Sequence, residues 1–190
     1  MRPCGRRVWC DMLGLRPYKS CDAETVVSWI DSQKALRQWS ADRFAEYQYP
    51  LTPAQYDGYY RRFDAVPNIF PMTAFDQRGT PAGHLLLRWP EEDRRSVRLG
   101  FIILDPACRG RGMGRELVNL AAGYAFGFLR AERLTLGVFD NNPAARRCYE
   151  AAGFRAVGEK PCLIDGELWP CTEMELLWTE KERECQWMRK

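Results

Sequence analysis

No apolar run in the 190-residue chain approaches the roughly 20 residues of a membrane span. The first twenty residues carry Arg2, Arg6, Arg7, Asp11, Arg16 and Lys19 and contain no apolar leader. Both lacks argue for a cytoplasmic protein that neither enters a membrane nor binds one. Surplus charge is also scarce. The 28 Lys and Arg against 25 Asp and Glu leave only +3, far short of the concentrated positive charge that duplex nucleic acid demands. Cysteine is present eight times, but no pair stands at the C-x-x-C spacing of common zinc sites, so the thiols read as reduced and no metal is expected. There is one histidine, His84, inside a strand-like stretch, and no G-K-[ST] triplet, which excludes a Walker phosphate loop. Repeats and linkers are missing too, so the length fits one domain with a sizeable core.

The segments that are present alternate in period. Residues 1–11 show no periodicity and read as a disordered extension, or as sequence upstream of a true start at Met12. The domain proper is expected over 12–178, and the charged run from 179 to 190 as a tail. Leu13, Leu15 and Pro17 to Tyr18 read as a strand, and Asp22 caps one or two short helices through Val26, Trp29, Leu36 and Trp39. Thr52-Pro53 is an N-cap and first-turn proline for a helix carrying Tyr56, Tyr59, Tyr60 and Phe63 on one face. That stripe, with Tyr47 and Tyr49, could line a pocket, although aromatics at helical spacing are more often core.

From Met72 the pattern becomes an antiparallel meander: Met72 to Phe75, His84 to Trp89 and Val97 to Leu104. A helix is expected from Arg111 to Arg130, then a buried strand through Leu134, Leu136 and Val138. Asn142-Pro143 starts a further helix that Gly153 ends, Phe154 to Val157 reads as strand, Asp165-Gly166 as a hairpin turn, and Met174 to Trp178 closes the sheet.

The densest signal is the run Arg109-Gly110-Arg111-Gly112-Met113-Gly114-Arg115 between a strand and a helix. Glycines let backbone N–H groups approach a ligand, the helix start adds partial positive charge, and guanidinium groups pair with phosphate oxygens. A diphosphate would fit; a turn that merely joins strand to helix is the plain alternative. A dinucleotide fingerprint from Gly110 fails because Arg115 stands where its last glycine is needed.

With the downstream pattern Asn142-x-x-Ala145-x-x-x-Tyr149-Glu150-x-x-Gly153-Phe154, the motif Arg109-x-x-Gly112-x-Gly114 resembles the GNAT superfamily of N-acetyltransferases. The resemblance spans residues 12–178 and is strongest over 97–156. It implies an α/β (α+β) fold with a central mixed, mostly antiparallel sheet, splayed in the middle and flanked by helices. It implies acetyl-CoA as co-substrate, its pyrophosphate on the amides of Gly110, Arg111, Gly112, Met113, Gly114 and Arg115, with Arg109 beside them. The pantetheine arm would run along the backbone of Ile102, Ile103 and Leu104, and Asn142 would both cap its helix and touch the cofactor.

Tyr149 would be the general acid for the departing thiolate, and a primary amine, small or a protein N-terminus, the acceptor. The protein would be a monomer or homodimer. One relative's glutamate base falls here at Gly137, which has no side chain. An α-amine of pKa about 8 is roughly one-tenth neutral at pH 7, whereas deprotonating a lysine amine costs about 4.6 kcal/mol. A weakly basic amine, a water chain or Asp140 could meet that need, and a module that binds acyl-CoA without transferring anything is the alternative function.

Overall fold

The computed structural model describes residues 13–62, 68–90 and 94–178. The expected extension at 1–11, the start at Met12, Phe63 and the tail at 179–190 lie outside the described residues. The chain runs β1 (Gly14–Pro17), α1 (Ala23–Ser28), α2 (Gln33–Ser40), α3 (Pro53–Arg61), β2 (Ile69–Phe75), β3 (Pro81–Arg88) and β4 (Ser96–Leu104). It continues with α4 (Met113–Gly123), β5 (Arg133–Phe139), α5 (Pro143–Ala151), β6 (Arg155–Glu159), β7 (Cys162–Ile164), β8 (Glu167–Trp169) and β9 (Cys171–Leu177).

Among the described residues seven strands form one sheet in the order β1-β2-β3-β4-β5-β9-β6, and β7 with β8 make a separate hairpin. Every neighbouring pair is antiparallel except β4 with β5. This is the mixed, mostly antiparallel sheet the resemblance implied. Helices cover both faces, which is why Ala82 to Leu87 of β3 are buried without alternation. On one face α4 and α5 set Leu117, Val118, Ala121 and Tyr149 against Leu85, Leu87, Leu99, Leu134 and Leu136. On the other, α1 to α3 bring Val26, Leu36, Tyr56 and Tyr60 against Leu86 and Phe101. The aromatic stripe of α3 is therefore chiefly core.

Local signals act where they stand. The Thr52 hydroxyl accepts from the Gln55 amide, and the Gln55 side chain accepts from the Thr52 amide at 2.9 Å, a reciprocal cap. Asp22 behaves differently from a simple helix cap. Its carboxylate closes the Ser20–Asp22 3-10 turn on the Lys19 amide at 3.0 Å, and it takes two bonds from Arg16 at 2.7 Å and one from the Thr73 hydroxyl at 2.8 Å.

Boundaries depart from expectation at β3, which begins at Pro81 rather than His84, at β9, which begins at Cys171 rather than Met174, and in three further places. β2 begins at Ile69 rather than Met72, because Pro71 costs no ladder bond. A strand residue's N and O point to the same side, and the Pro71 carbonyl accepts from Tyr18 just past the end of β1, so the Pro71 nitrogen lies where the ladder to β1 has already ended. α4 begins at Met113 rather than Arg111, since Gly112 sits at φ 83°. It also stops at Gly123, after which Tyr124–Phe128 widen into a π-helical turn closed by Leu129 N–H on Tyr124 O at 3.0 Å.

Candidate functional site

β4 and β5 pair only from Ser96 to Arg98 with Arg133 to Thr135. β5 continues to Phe139, paired throughout with β9, while β4 continues to Leu104 paired with β3. Beyond Arg98 the facing edges of β4 and β5 therefore diverge without strand partners, and their amides and carbonyls are available to a ligand. The sheet is splayed at its middle.

At the start of that open edge β4 carries a bulge. Leu86 pairs with Gly100 and His84 with Ile103, so Phe101 and Ile102 together oppose Leu85. Phe101 takes φ 50°, a strained value for a phenylalanine, and its buried ring holds it against Tyr59 and Trp39 with centroids 5.6 and 5.3 Å away. Nothing in the letters announces this, since glycine is the residue such a conformation favours.

β4 then delivers the chain to the glycine-rich loop. Asp105 accepts from the Ala107 amide at 2.8 Å to start the Pro106–Cys108 3-10 turn. The Arg109 guanidinium turns inward, to the Leu104 carbonyl at 3.2 Å and the Trp29 carbonyl at 3.3 Å, so it ties the loop to β4 and to the end of α1. Gly110 and Gly112 adopt φ 76° and 83°, and a Cβ at either would meet nothing within 4 Å. Their backbone faces open space. Gly112 caps α4 with no side chain, so the first-turn amides keep the room a phosphate needs.

Gly114 is glycine for a different reason. A Cβ there would lie 3.1 Å from Cys148 Sγ of α5 and 3.5 Å from Leu104 Cδ1, so its absence lets α5 close on α4. The side chains of Arg111 and Arg115 are exposed and that of Met113 is buried in the core.

α5 carries further expected residues, Asn142 at its cap and Tyr149 within it. Asn142 caps it, its side chain accepting from the Ala145 amide at 3.2 Å. Tyr149 is buried beside Phe154, and burial, helped by the neighbouring Cys148, pushes its phenol well above the usual value. Asp140, considered as a base, accepts from the Thr172 hydroxyl at 3.1 Å at the end of β5.

On the opposite face of the sheet, two side chains that the sequence did not single out meet over the splay. Arg98 of β4 reaches across β5 to make a two-pronged ion pair with Glu173 of β9, one bond at 2.8 Å from Nη2 to Oε1. Beside the cleft, α2 and the β7–β8 hairpin enclose an open cavity of about 560 Å³ whose lining includes Lys34, Arg37, Asp165 and Glu167. Arg37 is itself buried, donating to Asp165 at 2.8 Å and to the Phe44 carbonyl at 2.7 Å. Among the described residues no helix is long and apolar enough to cross a membrane.

The acetyltransferase (GNAT) family profile matches residues 33–154. The spermidine N(1)-acetyltransferase of Vibrio cholerae is 40% identical over 53 residues, which are 28% of this chain and 31% of that protein. The probable N-acetyltransferase YjcK of Bacillus subtilis is 37% identical over 67 residues, 34% of this chain and 37% of that protein. The chain thus matches about a third of the length of these two curated relatives. The solved structure of the Vibrio cholerae spermidine N-acetyltransferase with CoA and spermine superposes with a TM-score of 0.73 at 23% identity, covering 87% of this chain and 95% of that one.

Proposed function

The chain belongs to the acetyltransferase (GNAT) family, and we propose on that premise that it is an acetyl-CoA-dependent N-acetyltransferase acting on a primary amine, either a small molecule or a protein N-terminus. The observation that carries the reading is the diverging edge of β4 and β5 leading into a helix start whose two left-handed glycines face open space. A diphosphate is the ligand chemistry that such a cradle fits.

Acetyl-CoA, bound there, supplies an activated acetyl thioester. The amides from Gly110 to Arg115 hold the pyrophosphate, with Arg111 and Arg115 adding charge. The backbone of Ile102, Ile103 and Leu104 holds the pantetheine arm, and amides on the open edge of β4 stabilise charge developing on the carbonyl oxygen. Asn142 spends its carbonyl oxygen on the helix cap and presents its side-chain NH2 to the cofactor. Tyr149 protonates the leaving sulfur; burial keeps the phenol protonated through any working pH.

The names of the similar proteins support an amine acceptor, spermidine or spermine among the candidates. The missing side chain at Gly137 favours instead a module that binds acyl-CoA and transfers nothing. Thiol release from acetyl-CoA, with spermine and with a free-amine peptide as acceptors, separates the two. An enzyme releases thiol, and Tyr149→Phe slows release about 10²- to 10⁴-fold with acetyl-CoA affinity nearly unchanged. Unaltered turnover in the variant removes Tyr149 from the mechanism.

A further inference from the structure

Position 137 is bare on the face of the sheet away from α4 and α5, yet the space above it is filled. A Cβ on Gly137 would lie 2.8 Å from Arg98 Nη2, 3.0 Å from Cys171 Sγ and 3.2 Å from Glu173 Oε1. Gly137 and Glu173 are direct partners across β5 and β9. The glycine is what lets Arg98 pass over β5 to its partner, and the Glu173 carboxylate occupies the place that a side chain at 137 would have taken. Arg98 is also the last residue of β4 paired to β5, so the carboxylate stands at the apex of the splay.

We propose that Glu173, borrowed from the neighbouring strand, is the carboxylate that receives the acceptor amine and takes its proton; this rests on the acetyltransferase reading above. The two-pronged pair leaves each carboxylate oxygen a further lone pair, and the Glu173 side chain is 22% exposed, open to an incoming donor. Arg98 fixes its orientation, and the charge of Arg88, directly opposite Arg98 on β3, also reaches it.

In the transfer, an ammonium proton passes to Glu173 and on to water. The freed amine nitrogen forms the amide bond to the acetyl carbon, the carbon–sulfur bond breaks, and the sulfur takes its proton from Tyr149. The nitrogen sheds its second proton as the amide forms, and through water that proton restores Tyr149, so one proton in all is released to solvent and no other reactant is needed.

The test is thiol release by wild type, Glu173→Gln and Arg98→Gln, with spermine, with a free-amine peptide and with water alone as acceptor. Either substitution breaks the ion pair, so a purely structural role predicts equal deficits that do not change with pH. The proposal predicts that Glu173→Gln loses at least 100-fold in kcat, that Arg98→Gln loses tenfold or less, and that the Glu173→Gln deficit shrinks as pH rises and the amine deprotonates unaided. Equal deficits, or a Glu173→Gln deficit independent of pH, overturn it. Thermal stabilisation by acetyl-CoA, measured on all three proteins, keeps the two readings apart. Wild type that is stabilised but releases no thiol removes the enzyme reading and this inference with it, whereas an active Glu173→Gln removes the inference alone.

Discussion

His84 shows how much one residue's surroundings decide. It is fully buried, its Nε2 within 2.8 and 2.9 Å of the Tyr56 and Tyr60 hydroxyls, and its Nδ1 has no partner among the described residues. Burial pushes its pKa down to about 3, only partly opposed by the charge of Asp22. An unfolded histidine titrates near 6.5, so between pH 6.5 and 3 the unfolded chain binds the extra proton. Stability from this site is complete above 6.5 and falls as pH drops. At pH 5 the loss is about 2 kcal/mol.

Asp22 does not blur that window. Burial pushes its carboxyl upward, but hydrogen bonds from Arg16, Thr73 and the Lys19 amide outweigh it and hold it below the usual range, so its contribution is lost only at more acidic pH. Urea unfolding at pH 7 and pH 5 should therefore show a larger acid loss in wild type than in His84→Gln. Equal losses would mean that His84 is not buried as a neutral ring.

At the scale of elements, several helix ends and turns were written in the sequence, whereas both ends of α4 and the strand irregularities were not. Thr52-Pro53, Asn142-Pro143, Gly153 and Asp165-Gly166 each act through their nearest neighbours in the chain, so each could be read from its letters. The bulge at Phe101 and the pairing of Arg98 with Glu173 depend on partners 75 residues apart or packed from another layer, and no local period encodes those. The run from Arg109 to Arg115 was legible as a glycine-rich turn that opens a helix, but its glycines differ in purpose. Gly110 and Gly112 are there for backbone conformation, Gly114 for the contact between α4 and α5.

That difference is measurable. Gly114→Val forces Cys148, and α5 with it, away from α4 and should cost roughly 1–3 kcal/mol. Gly123→Ala, at the far end of the same helix in open space, should add about 0.5–1 kcal/mol. Chemical denaturation of the two variants checks both signs, and a stable Gly114→Val would refute the close packing.

For the whole molecule, the order β1-β2-β3-β4-β5-β9-β6 puts the parallel pair of β4 and β5 at the centre of the sheet. A parallel pair that lasts three residues and then diverges leaves a cleft between two well-supported halves. β3 anchors one half and β9 the other. Helices α4 and α5 deliver the glycine cradle, Asn142 and Tyr149 from one face, while Arg98 and Glu173 stand on the other. Cofactor and acceptor would thus approach from opposite sides of the same opening, which is what direct transfer between them requires.

The proposed transfer depends on acetyl-CoA entering that opening. The most direct measurement is the melting temperature of the purified protein with acetyl-CoA, ATP or NAD at matched concentrations, alongside Gly112→Glu, which fills the cradle and adds like charge. A ligand at a hundred times its dissociation constant adds about 2.7 kcal/mol, roughly 5–10 °C for a domain of this size. The prediction is a shift of that order with acetyl-CoA alone, absent in Gly112→Glu. A shift with ATP or NAD but not acetyl-CoA, or an undiminished acetyl-CoA shift in Gly112→Glu, would contradict it.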